Sequence, residues 1–286
     1  GYILQEKLEI AKRFLIPRQL SKHGLKRAQA MITVRALREI IDGYAREPGV
    51  RGLENHIKKI MRKIAKRIVA GETTRIKVDV GDIEEYIGQR IFKDENYYKI
   101  PRPGVVMGLA WTSLGGDTLF IEAAKVHTGK SGFKQTGQLG DVMVESSEIA
   151  YTYLRAFLDD DPKMREFFAK NFIHLHVPAG ATPKDGPSAG ITMATALYSL
   201  IYDKPVKRHL AMTGELTLTG LVMPIGGLKE KTIAARRAKV KHLIFPADNQ
   251  KDFDELPEHI KKGLIPHFVR TFEDVIEICF GRKKTS

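Results

Sequence analysis

The residues best suited to chemistry stand in the run Thr182-Pro-Lys-Asp-Gly-Pro-Ser-Ala-Gly190, where small, turn-forming neighbours place the Ser188 hydroxyl at the start of an apolar helix. A second block, Gly226-Gly-Leu-Lys-Glu-Lys231, sets a lysine near the start of another helix. A serine hydroxyl is a poor nucleophile until a base removes its proton, and a lysine amine is such a base only when its own pKa has been lowered. The two blocks together predict a Ser/Lys peptidase.

After Ser188, the residues Ile191, Met193, Ala194, Ala196, Leu197, Leu200 and Ile201 make a helix apolar almost all round, which must be buried. Its N-terminus offers unpaired N–H groups and positive potential where a tetrahedral oxyanion would form. Each donor aimed at such an oxygen is worth about 3 kcal/mol of barrier. The plainer alternative makes Ser188 an N-cap. For Lys231 the plainer alternative is a solvated surface charge. To act as a base its pKa must drop from about 10.4 to roughly 7–8, at a cost of about 4 kcal/mol, which burial or a cationic helix end would supply. Leu210 to Leu218 reads as a strand interrupted at Gly214, and Thr213 within it is placed to hydrogen-bond the neutral amine as third member of the group.

The elements that must position these residues follow from periodicity. Thr118 to Val126, Ile173 to Val177, Leu210 to Leu218 and Leu243 to Phe245 read as strands. Helical patterns run over Val142 to Leu158, Pro162 to Lys170, Ser188 to Tyr202, Gly227 to Val240 and Phe272 to Phe280. Interleaved strands and helices predict an α/β layered fold. Upstream, Leu53, Ile57, Ile60, Met61, Ile64 and Ile68 recur at helical spacing, with Lys58, Lys59, Arg62, Lys63, Lys66 and Arg67 on the remaining surface and Gly71 as a stop. A polar stretch from Arg90, closing in Pro101 and Pro103, places the domain boundary near Lys99.

Composition sets outer bounds. A chain of 286 residues suggests two domains. No apolar run spans a bilayer and no secretory signal opens the chain, so a soluble protein without a membrane partner is expected. The single cysteine, Cys279, excludes an intrachain disulfide and lies in an apolar run, as a buried structural thiol would. The net charge is +13, and residues 1–90 hold most of it, with 20 Lys/Arg against 11 Asp/Glu. Such a basic face suits either nonspecific DNA or solvent. His174 and His176 share one face of a strand, but with no acid or cysteine at ligand spacing, no metal is predicted.

From Trp111 to Leu243 the chain closely resembles the proteolytic domain of the Lon ATP-dependent proteases. Besides the serine and lysine blocks, the resemblance rests on Gly108-Leu-Ala-Trp-Thr112, Gly115-Gly-Asp117, Ile121-Glu122, Ile173-His-Leu-His-Val177 and Met212-Thr-Gly-Glu215. It implies Ser188 as nucleophile, Lys231 as general base and Thr213 as lysine partner. It also implies that Asp185 changes conformation between active and inactive sites, its backbone able to join Ser188 in the oxyanion hole. The first 90 residues resemble the small helical domain of the same family's AAA+ module, in which Arg51 would sense nucleotide phosphates; a helix-start arginine bound to a carboxylate is the alternative. The fold class expected is therefore α+β, with a small all-helical AAA+ lid-type domain over residues 1–98 and an α/β layered Lon-type proteolytic domain over residues 99–286.

No phosphate-cradling G-x-x-x-x-G-K-[ST] loop is found; Gly129-Lys-Ser131 has Ala124 in place of the first glycine. The nucleotide-binding large domain is thus expected to be missing, in keeping with Gly1 rather than Met at the start. Peptide cleavage would need no cofactor, and ATP with Mg would act in the intact enzyme only, through that absent domain. Unfolded proteins are the expected substrates, a homohexameric ring the expected assembly, and the cytoplasm, or the mitochondrial matrix of a eukaryote, the expected location. Gly104 to Trp111 and Val177-Pro-Ala-Gly-Ala181 are expected to flank the nucleophile and pair with an extended peptide, with Pro178, Ala179 and Gly180 in contact with it. Trp111 would line the specificity pocket, or else sit in the core; Glu122 would gate the site, or else form a salt bridge. Two rivals remain. Gly186-Pro-Ser-Ala-Gly190 fits the G-x-S-x-G elbow of an α/β-hydrolase esterase with Asp248 and His267, and the chain could instead be a basic, oligomeric binding module.

Overall fold

A computed structural model describes residues 2–92, 100–112, 115–178 and 183–281. The chain divides into two compact units, Gly1–Asn96 and Tyr97–Ser286; Lys99 lies outside the described residues.

In the first unit, helices α1 (Leu4–Ile10) and α2 (Ile16–Lys22) are joined by a π-helical turn, Ala11–Leu15. Strand β1 (Ala30–Ile32), α3 (Val34–Tyr44), α4 (Arg51–Val69), β2 (Ile76–Val78) and α5 (Ile83–Ile87) follow. Thr33 starts α3 by accepting the Ala36 N–H on its hydroxyl at 3.0 Å. Along α4, Leu53, Ile57, Ile60, Met61 and Ile64 are fully buried, while Lys58, Lys59, Arg62, Lys63 and Lys66 face solvent. The stripe expected from spacing is therefore the domain's core. One feature adds to the helical reading: β1 and β2 pair in parallel, Ala30 opposite Ile76. Three-residue strands carry too little periodicity to be seen in a sequence.

The second unit holds strands β3 (Val105–Thr112), β4 (Gly115–His127) and β5 (Gly132–Thr136), then α6 (Asp141–Phe157), α7 (Pro162–Lys170) and β6 (Asn171–His176). A 3-10 turn, Pro187–Ala189, leads into α8 (Gly190–Ile201), followed by β7 (Leu210–Met212), β8 (Glu215–Leu216), β9 (Val222–Met223) and α9 (Leu228–Arg237). Strand β10 (His242–Pro246), α10 (Gln250–Asp254), α11 (Glu258–Lys261), β11 (Ile265–Val269) and α12 (Phe272–Phe280) complete it. Seven strands form one mixed sheet in the order β11-β10-β7-β3-β4-β6-β5, antiparallel at β3–β4 and β4–β6 and otherwise parallel.

Strand alternation sends side chains to opposite faces and so builds two cores. Met212 and Ile244 join the cluster beneath α8, with Ile121, Leu175 and Met193. Ala211, Leu243 and Phe245 join the cluster on the other face, with Leu228 and Ala235 of α9. The sheet thus lies between α8 and α9, the two helices that the Ser188 and Lys231 blocks begin.

One expectation about substrate pairing, over Gly104 to Trp111, is narrowed here. Strand β3 is interior: Val105 to Thr112 pair with β4 on one side, and Gly108 meets Met212 of β7 on the other. Gly104 to Gly108 therefore offer no free edge to an extended peptide, while Leu109 to Trp111, the rest of the expected segment, lie past the end of β7.

Candidate active site

Ser188 lies in the 3-10 turn, held up by local geometry that its neighbours explain. Gly186 adopts φ +126° at the start of the turn, a conformation L side chains avoid. Gly190 packs so closely on β8 that a Cβ there would sit 2.7 Å from the Leu216 amide nitrogen. The N-cap of α8 is Ala189, and no side chain caps either helix start. The Ser188 hydroxyl is therefore not spent as a cap, which removes its commonest structural role.

The backbone of Ser188 is fixed by the break between β7 and β8. Thr213 continues the ladder by donating its N–H to the Ile244 carbonyl at 3.1 Å, and Gly214 then turns away. The Ser188 carbonyl accepts from the Gly214 N–H at 2.9 Å and from Thr213 Oγ1 at 3.1 Å. The Gly214 carbonyl in turn accepts the Ile191 N–H at 3.1 Å. The interruption expected at Gly214 is thus the point where the serine segment docks.

Lys231 comes in from the opposite face of the sheet. It stands in the first turns of α9, whose N-cap Gly227 is left-handed at φ +68°. Lys231 is 2% exposed, and its Nζ donates to Thr213 Oγ1 at 3.0 Å. No carboxylate pairs with it among the described residues. Burial alone pushes its pKa from 10.5 down to about 8. An amine so placed exchanges its proton near neutrality. With the Thr213 hydroxyl proton committed to the Ser188 carbonyl, the threonine oxygen accepts from Lys231, and the lone pair of the neutral amine stays available. Ser188 Oγ and Lys231 Nζ make no direct hydrogen bond in this conformation; Thr213 joins their two segments.

Asp185 is engaged elsewhere. Its Oδ1 accepts the Met143 N–H at 3.0 Å and the Gly186 N–H at 2.9 Å. It thereby caps α6 from a distant part of the chain, and Gly140 is small enough to admit it, a Cβ there falling 2.4 Å from the Asp185 Cγ. Its carboxylate makes no hydrogen bond to Ser188 and no ion pair with Lys231.

The remaining expected residues are dispersed. Trp111 is 62% exposed, which excludes the core role, and its ring lies over Gly227, where a Cβ would approach Cγ within 2.7 Å. Glu122 sits half-buried in β4 opposite Val105 and His176, without an ion pair among the described residues. Pro178 follows β6, half-buried; Ala179 and Gly180 lie outside the described residues. In the first unit Arg51 is exposed and pairs with no carboxylate among the described residues; Glu47 instead accepts the Leu53 N–H at 2.9 Å near the start of α4. His174 Nε2 and His176 Nδ1 both bond to Thr136 Oγ1, at 2.9 and 2.7 Å. Among the described residues no group of three or more His, Cys, Asp and Glu could hold a metal ion, and no helix is long and apolar enough to cross a membrane. Cys279 is buried, its thiol pushed up to about 12.

The esterase triad does not assemble. His267 is on edge strand β11, where its Nε2 meets His242 Nδ1 at 3.1 Å, and Asp248 is exposed on a 3-10 turn. Neither bonds to Ser188. Sequence reasoning gave Asp117 no role beyond its block and passed over Arg237; the two join β4 to the lysine helix at 2.9 Å. The only signal was the paired glycine before Asp117.

Comparison with known proteins gives the class of the domain that holds these features: a proteolytic domain. Residues 77–282 match the model of the Lon protease (S16) C-terminal proteolytic domain, and residues 21–76 match that of the Lon protease AAA+ ATPase lid domain. The chain belongs to the Lon protease family. It is 58% identical over 281 residues to Lon protease 1 of Syntrophotalea carbinolica, covering 98% of this chain and 34% of the relative. Lon protease 2 of Hydrogenovibrio crunogenus is 52% identical over 287 residues, 100% of this chain and 32% of the relative. The mitochondrial Lon protease homolog of Mus musculus is 48% identical over 292 residues, 99% and 31%. The chain thus spans about a third of the length of the curated relatives it matches.

Proposed function

We propose that this chain is a serine endopeptidase acting through a Ser188/Lys231 dyad with Thr213 as the lysine's partner. The observation that carries the reading is the buried, unpaired Lys231 amine held by the same threonine that holds Ser188. Neutral Lys231 removes the Ser188 Oγ proton as the oxygen attacks the scissile carbonyl. The tetrahedral oxyanion develops beside the N-terminus of α8, where the helix dipole favours negative charge. The lysine then returns its proton to the leaving amine, and water hydrolyses the acyl-serine by the same base.

Hydrolysis of fluorogenic peptides tests this directly. Wild-type protein cleaves; Ser188→Ala and Lys231→Met abolish turnover, whereas His267→Ala does not. Turnover that survives Ser188→Ala overturns the reading.

The sequence holds no phosphate-cradling loop, so this chain cleaves small or already unfolded peptides without hydrolysing ATP and without a metal or other cofactor. ATP-dependent degradation of unfolded proteins belongs to the whole enzyme, where Arg51 would sense nucleotide phosphates. A homohexameric ring in the bacterial cytoplasm or the mitochondrial matrix is the working form. Asp185 switching and contacts of substrate with Trp111, Glu122 and Pro178 are part of the same reading. The basic face of α4 supports nonspecific DNA binding as a second property; retention on DNA that fails to fall with added salt would exclude it.

A further inference from the structure

We infer that Asp117 and Arg237 are positioning residues for Lys231: the start of β4 clasps α9 and fixes how deeply the lysine is seated. The inference rests on the reading of Lys231 as base.

Residues from the two strands touch α9 along its length. At its start, Trp111 covers the left-handed Gly227. In its first turns, the Gly116 backbone lies against the carbonyl of Glu230, so close that a Cβ on Gly116 would fall 1.9 Å from that oxygen and 3.0 Å from the backbone amide nitrogen of Lys231. In its last turn, Arg237 Nη2 donates to the Gly116 carbonyl and to Asp117 Oδ1, both at 2.9 Å. The Asp117 carboxylate is itself oriented, since the same Oδ1 accepts the Thr118 N–H at 3.0 Å.

A helix of 10 residues is not stable alone, and its place depends on what it packs against. The Arg237 and Asp117 side chains are 29% and 48% exposed, so as an ion pair they add little stability. Their value is geometric. One guanidinium grips a backbone carbonyl and a carboxylate of adjacent residues, which fixes the register of α9 on β4. Glu230, pressed by Gly116, immediately precedes Lys231. A helix that rides outward draws the amine from its dry site and lets water stabilise the ammonium, which leaves less of the free base at a given pH.

The test compares Arg237→Met and Asp117→Asn with wild type in fluorogenic-peptide kinetics from pH 6 to pH 10.5, with thermal melts to confirm folding. The expected result is an unchanged KM, a kcat lowered about tenfold near pH 7 for each unit by which the alkaline rise moves upward, and recovery toward wild type at high pH. The Nζ titration of Lys231, followed by NMR in a Ser188→Ala background, should move upward in parallel. Unmoved titration and an unmoved pH profile in folded variants overturn the clasp, as does a kcat loss that is equal at every pH. If instead Lys231→Met retains turnover, the base reading fails first, whatever the two variants do. Should a variant melt below assay temperature, the Nζ titration is read below its melting point and decides in the same way.

Discussion

Lys231 Nζ donates to Thr213 Oγ1 at 3.0 Å, and both residues are shut off from water. The same threonine hydroxyl donates to the Ser188 carbonyl at 3.1 Å. One oxygen therefore fixes both the lysine and the backbone of the serine.

Thr213→Val keeps the shape and removes the oxygen. Peptide hydrolysis should fall about 10- to 100-fold through kcat, with KM little changed. Thr213→Ser should retain most activity, since it keeps the donor and the acceptor. Steady-state kinetics on the two variants checks both expectations.

The depressed Lys231 pKa has consequences of known sign. Activity should rise as pH passes through about 8, where the amine loses its proton. For stability, the native state binds fewer protons than the unfolded chain between about 8 and 10.5, so stability should rise with pH across that window. Below it the full cost of the buried amine applies, about 3 kcal/mol. Lys231→Met should stabilise the protein by up to that amount at pH 7 and by nothing attributable to ionisation above pH 10.5. Urea unfolding at several pH values measures it.

Asp185→Ala removes the acceptor that caps α6. The Met143 N–H loses its partner, and a loss of about 1 kcal/mol is expected. Asp185→Asn, which keeps an acceptor oxygen, should lose less. Chemical denaturation of the two variants separates the capping role from any effect on turnover.

Gly190→Ala tests the approach of α8 to β8. Alanine gains helix propensity of about 1 kcal/mol, but its Cβ meets backbone at Leu216, which cannot rotate aside. Overpacking should win, with a net destabilisation of about 1–2 kcal/mol in denaturant melts.

What could be read from the sequence was whatever is local or periodic. The apolar run from Ile191 to Ile201 announced a buried helix, the stripe on α4 announced its buried face, and Thr213 beside Gly214 marked the interrupted strand. Contacts between residues far apart in the chain left no such trace. Asp185 capping α6, Gly116 against Glu230 and Arg237 on Asp117 are each made only by the folded chain, and nothing in the spacing of these residues specifies them. Gly104 to Trp111 looked like one available strand edge because a sequence segment says nothing about its neighbours; β4 runs along one side of it, and β7 meets the other side at Gly108.

The two donors on the Ser188 carbonyl also limit how the nucleophile can move. With that carbonyl held by both Gly214 and Thr213, turning about χ1 re-aims the oxygen atom of the side chain without disturbing the chain after it. Such a rotamer hop takes picoseconds to nanoseconds, so alignment for attack at this position would be gated by a swivel of one bond and not by slow remodelling of the chain that follows it.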